Sequence, residues 1–208
     1  MSSNRLFFGA SRNPDQIAFN ASDASEQISI NLLPHLPVNK PDKIVVVCVG
    51  TDRSTGDSLG PLVGTFLSEK ENNTFSIYGT LEDPVHAVNL EEKINLVHLE
   101  HSNPFIIAVD ACLGRTKSVG TVQIHPHPLK PGAGVHKDLP EVGNIHITGI
   151  VNVSGFMEFY VLQNTRLNLV WNMAKTIAES IELTSRSLLV GRGLHKSTDW
   201  TFDQEKAT

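Results

Sequence analysis

The chain has 208 residues, of which 40% are hydrophobic and 19% charged, with a formal net charge of −5 and a pI of about 6.0. That length fills one α/β domain and leaves little for a second. The acidic balance, with no cluster of Lys and Arg, argues against a nucleic-acid partner, because neutralising phosphates needs a basic face.

Residues 1 to about 40 are polar, with Asn, Ser and Pro among isolated apolar positions. They predict a flexible or loosely packed arm holding one short helix near Ala24 to Leu33, ended by Pro34 and Pro37. The opening residues, Met1 to Gly9, lack the continuous apolar stretch of a secretory signal. Residues 41–188 carry the domain. Lys43 to Gly50 is a β-branched run of the kind buried on both faces of a parallel sheet. A helix follows, with Asp57 or Ser58 at its N-cap, Pro61 in its first turn, and Leu62, Phe66 and Leu67 on one face. A strand over Phe75 to Leu81 and a helix capped by Asn89 come next.

The third strand is expected over Phe105 to Asp110, which leaves Asp110 at the rim of the sheet. Val119 to His125 alternates as a strand. The Pro- and Gly-dense stretch from Pro126 to Gly134 is a long loop. Ile145 to Val153 is a further strand, and one long helix is expected from Gly155 through Ile181. Residues 189–208 predict a flexible tail. Strand–helix alternation implies a three-layer α/β/α sandwich with a mostly parallel central sheet. No apolar run reaches the roughly 20 residues of a membrane helix. Cys48 and Cys112, the two cysteines, lie in or beside inner strands, so a reducing cytosolic compartment is the default.

Ligands of open parallel sheets bind at the carboxyl ends of strands. Asp57 and Asp110 each follow an apolar run and are therefore expected to face one crevice, where two carboxylates could share a proton or hold a metal ion. Taken alone, Asp57 is more simply a helix cap. Asp110 is equally consistent with a loop anchor. His136, after the Gly-rich loop, would complete an O,O,N set for one divalent ion of zinc or nickel type. His125 and His127 flank prolines and stand as reserve ligands. His86, His98, His101 and His146 are assigned to surface or packing. Thr51, Asp52, Thr80 and Glu82 are expected to line the crevice. A Cys112 nucleophile is disfavoured, because an adjacent acid raises a thiol pKa. The P-loop, dinucleotide, H-E-x-x-H and G-x-S-x-G signatures are missing, which disfavours nucleotide use.

Three motifs in order resemble a known family. Gly56-Asp57-Ser58-Leu59-Gly60-Pro61, Ala108-Val109-Asp110-Ala111 and the stretch from His127 to Val135 resemble segments of the spore germination protease, at matching spacing over roughly Lys43 to Phe156. The short chain resembles the YyaC-type sporulation proteins, relatives without the protease's extra segments. This resemblance implies a phosphorylase/hydrolase-like fold, a cytosolic protein of the forespore or mother cell, and Asp57 and Asp110 as a catalytic pair. The fold is shared with hydrogenase maturation endopeptidases, whose metal-binding Glu, Asp and His align with Asp57, Asp110 and His136. Two departures bear on specificity: His136-Lys137-Asp138 stands where the germination protease has Asn-Lys-Arg, and the segment from Val151 to Gly155 lacks its Pro and Thr. The implied activity is a peptidase acting on one or a few protein or peptide substrates, with a homo-oligomeric state left open. The alternative is a non-catalytic metal- or protein-binding relative that has lost turnover.

Overall fold

A computed structural model describes residues 16–37, 40, 43–71, 73–131 and 139–204. Six strands form one sheet in the order β1-β5-β6-β4-β2-β3. In chain order they are β1 (Ile17–Ala18), β2 (Ile44–Cys48), β3 (Ser76–Tyr78), β4 (Phe105–Gly114), β5 (Thr121–His125) and β6 (Ile145–Val153). Strands β3, β2, β4 and β6 are mutually parallel, with β3 at one edge of the sheet. β5 runs antiparallel to β6, and β1 antiparallel to β5. Every residue of β2 is buried, as a strand covered on both faces requires.

The alternation of side chains along β2 and β4 sorts the core into two layers. Ile44, Val46, Cys48, Ile107 and Val109 pack on one face, together with buried residues of α1 (Ala24–Leu32), α2 (Leu59–Ser68) and α5 (Leu167–Gln204). Val45, Val47, Ile106 and Ala108 pack on the other, with Leu90 and Val97 of α3 (Leu90–Glu100) and with Val85, Leu129 and Val142. The result is the three-layer α/β/α sandwich. Among the described residues no helix is long and apolar enough to cross a membrane.

Four expectations are corrected. Residues 16–36 are no loose arm. β1 pairs with the sheet, Ile28 and Leu32 are fully buried in the larger core layer, and Thr184 of α5 donates to Ser29 at 2.9 Å. The isolated apolar residues of this segment disguised one buried helical stripe. β4 does not end at Asp110 but runs on to Gly114, because β6 continues beside it and supplies hydrogen-bond partners as far as Val153. The long helix expected from Gly155 is two helices, α4 (Glu158–Gln163) and α5. Carbonyls that would carry one helix into the next are drawn elsewhere. Leu162 O accepts the Gly56 amide at 2.9 Å, and Val161 O accepts the Thr165 hydroxyl at 2.9 Å and the Asn152 amide at 3.3 Å. Finally, the helix expected to run through Ile181 continues to Gln204.

Candidate functional site

β2 ends at Cys48, opposite Val109 of β4. From β2 the chain leaves through α2 toward β3, on one side of the sheet. From β4 it leaves toward β5, on the other. The carboxyl ends of β2 and β4 therefore form a topological switch point, the place where open α/β sheets make their ligand crevice. Asp110 is the first residue of β4 past the end of β2. It keeps a strand neighbour on one side only, Thr148 of β6.

The loop from Gly50 to Ser58 folds into the gap on the other side. The Gly50 amide donates to Val85 O at 2.8 Å, and Thr51 N to Asp57 O at 3.1 Å. Gly50 has φ +148, and a Cβ there would lie 2.0 Å from the Asp57 carbonyl oxygen; only glycine admits this close approach. Asp57 stands just before α2, whose N-cap is Ser58. No side chain caps that helix, and the Ser58 hydroxyl turns back to Thr55 O at 2.7 Å. The simpler role for Asp57, as a helix cap, is not the one it adopts.

The two acids feel each other. Burial pushes the Asp110 carboxyl up to about 8; the Ala111 amide, 2.8 Å from Oδ1, pulls it back, and the Asp57 charge raises it further. Burial also raises Asp57, while the Ser54 hydroxyl opposes that rise. At neutral pH Asp110 therefore holds its proton more tightly than an ordinary carboxyl, chiefly because burial disfavours the charged form, with a smaller contribution from the Asp57 charge. Ser54 is 5% exposed, and its Oγ has no partner at hydrogen-bonding geometry. A buried hydroxyl left in this way is costly unless a further polar atom meets it.

Asp110, Cys112 and Thr148 share the sheet face opposite α5. Burial lifts the Cys112 thiol to about 11, the Thr148 hydroxyl draws it down, and Asp110 raises it. Cys112 is consequently a poor nucleophile. With Cys48 fully buried and its thiol also raised, iodoacetamide at pH 7.5 is expected to alkylate the folded protein at least about 30-fold more slowly than a thiol of ordinary pKa. Mass spectrometry of the intact protein over time checks this.

Beside Thr148, β5 and β6 gather imidazoles that sequence reasoning left scattered. The His125 and His146 rings stack at 4.4 Å, and His127 lies 4.9 Å from His146. His146 is buried, and its Nδ1 donates to His127 O at 2.7 Å. Burial lowers the His146 pKa, the His127 carbonyl opposes this, and the His127 charge lowers it further. His125 Nε2 meets Thr148 Oγ1 at 3.1 Å. The alternation of β5 and β6 was legible, but their antiparallel register, which pairs His125 with His146, was not. His146 is thus packed within this cluster, while His127 is exposed.

Of the expected lining residues, Thr51 and Thr80 are half-buried, and Asp52 and Glu82 are exposed. Thr80 Oγ1 accepts the Asp83 amide at 3.1 Å. His136 lies outside the described residues. Among those described, no group of three or more His, Cys, Asp or Glu side chains is placed to hold a metal ion.

A family model described as "Protein of unknown function (DUF1256)" matches residues 16–180. The chain is 60% identical over 182 residues to "Uncharacterized protein YyaC" of Bacillus subtilis (strain 168), spanning 88% of this chain and 89% of that one. A solved structure, the NiFe hydrogenase maturation protease HycI from Thermococcus kodakarensis KOD1, is similar with a TM-score of 0.48 and 17% identity, over 70% of this chain and 93% of that one.

Proposed function

The chain belongs to the DUF1256 family, and we propose that it is a peptidase-like hydrolase that cuts peptide bonds of one or a few protein substrates with Asp57 and Asp110. One observation carries this reading: the Asp57 charge reaches the Asp110 carboxyl at the switch point of the sheet. Asp110 holds a proton near neutrality, and Asp57, the less enclosed acid, is the member that ionises first. Asp57 takes a proton from a water as the water oxygen bonds to the peptide carbonyl carbon. Asp110 gives its proton to the carbonyl oxygen, leaving a neutral tetrahedral diol. On collapse the C–N bond breaks, the amine leaves with the proton held by Asp57, and a diol hydroxyl returns its proton to Asp110. Each carboxyl ends as it began. This route uses only groups the crevice supplies.

The motif resemblance to the germination protease supports a sporulation setting, in the cytosol of the forespore or mother cell. The test is incubation of purified protein with spore-protein digests and peptide libraries, read by mass spectrometry. Wild type is expected to cleave a narrow set of sequences. Asp57→Asn and Asp110→Asn should each lose about 10²- to 10⁴-fold in rate, the usual contribution of a positioned acid or base. Cleavage that survives either change would rule out the paired-carboxylate mechanism. A folded wild type that cleaves nothing would leave a binding protein.

A further inference from the structure

We propose that Ser54 is a positioning residue of this site: its buried hydroxyl and the Asp57 carboxylate together hold the water that attacks the peptide bond. The inference rests on reading Asp57 as the base of the pair. Ser54 lies in the turn that delivers Asp57, and its backbone carbonyl accepts the Ser58 amide at 3.0 Å, which fixes the turn. The side chain is 5% exposed, yet its oxygen meets no partner at full hydrogen-bonding geometry. Serine hydroxyls in such turns commonly close onto a nearby backbone group, as Ser58 does onto Thr55 O at 2.7 Å. Ser54 does not; it lies near enough to the Asp57 carboxylate to draw that group's pKa down, but short of full hydrogen-bonding geometry.

A hydroxyl has one proton to donate and two lone pairs. A water between Ser54 Oγ and Asp57 would satisfy the hydroxyl and direct one water proton at the carboxylate. It would also fix the orientation of the oxygen lone pair left for attack, and holding the nucleophile in a near-attack geometry is worth rate without strengthening substrate binding.

Two measurements test this. In a crystal structure of the full chain at about 1.6 Å or better, an ordered water is expected within about 3.2 Å of both Ser54 Oγ and an Asp57 oxygen. An empty gap, or direct closure of Ser54 onto Asp57, overturns the proposal. On a peptide that wild type cleaves, Ser54→Ala is expected to lower kcat about tenfold with KM within about twofold, while the urea midpoint changes little because the hydroxyl and its water leave together. An unchanged kcat marks the water as structural only and overturns the proposal. The two readings fail separately. A wild type without cleavage sinks the peptidase assignment, whereas a cleaving protein indifferent to Ser54→Ala sinks only the role of Ser54.

Discussion

Asp110→Asn is expected to stabilise the protein at pH 8.5 and to leave it nearly unchanged at pH 4. In the folded chain the Asp110 carboxyl is raised to about 8, chiefly by burial; in the unfolded chain it has an ordinary value near 3.9. Below about pH 4 both states hold the proton, and the group contributes nothing. Between about pH 4 and pH 8 the unfolded state releases the proton while the native state keeps it, so the native state binds more protons and stability falls as pH rises. Above about 8 the loss is complete. Four pH units set a ceiling of about 5 kcal/mol. Asp110 is only half-buried as a residue, so solvent at the crevice rim reduces this to about 2–3 kcal/mol. Asparagine does not titrate and keeps a carbonyl for the Ala111 amide. Urea unfolding at pH 4 and 8.5 measures the effect. Wild type should lose stability across that span, and Asp110→Asn should remove most of the slope. A small residue of slope should persist, because Asp57 is raised by burial in the same sense. A wild type equally stable at both pH values would show that Asp110 is not enclosed as described.

Gly64→Ala should be strongly destabilising even though alanine is the better helix former. A Cβ at Gly64 would lie 2.0 Å from Gly79 O and 2.9 Å from Gly79 C. One turn earlier, a Cβ at Gly60 would lie 2.0 Å from Val49 O. Two glycines on one face thus let the α2 backbone rest directly on the chain leaving β2 and β3. This contact seats the start of α2, and with it Asp57, over the end of the sheet. The obstructing atoms are backbone, so no rotamer change relieves the clash. Helix propensity returns about 1 kcal/mol, whereas forcing the helix away from the sheet is expected to cost about 3 kcal/mol or more net. Thermal and urea unfolding check the magnitude. In the surviving folded fraction, cleavage should fall as well, because the helix that carries Asp57 has moved. A Gly64→Ala protein as stable as wild type would mean that α2 is not seated this closely.

The two acids were legible because each follows an apolar run, and a buried strand must end where its polar neighbours begin. The placing of Asp110 at a switch point was inferable from the rule for parallel sheets, since β2 and β4 are adjacent and their connections part in opposite directions. Asp110 was nevertheless assigned to a strand end when it is a mid-strand residue. An apolar run shows how far a strand is covered on both faces, whereas its length is set by the neighbour that continues to bond it, here β6. Ser54 and the histidine stack carried no signal of their own. A serine in a polar turn and a histidine beside a proline look like solvated loop residues until other elements enclose them.

The amino-acid order by itself determined the local pieces: the β-branched runs that can be strands only in a covered sheet, the helices with their apolar stripes, and the two carboxylates placed at the ends of such runs. These follow from periodicity and burial, which act over a few residues. The tertiary structure decided what those pieces enclose. It drew residues 16–36 into the core, broke the helix at Asn164 by diverting the carbonyls of Val161 and Leu162, and enclosed Asp110 enough to raise its pKa, with the Asp57 charge adding to the rise. The reason is physical: desolvation and close approach depend on what packs around a group, and the surrounding atoms come from segments far away along the chain.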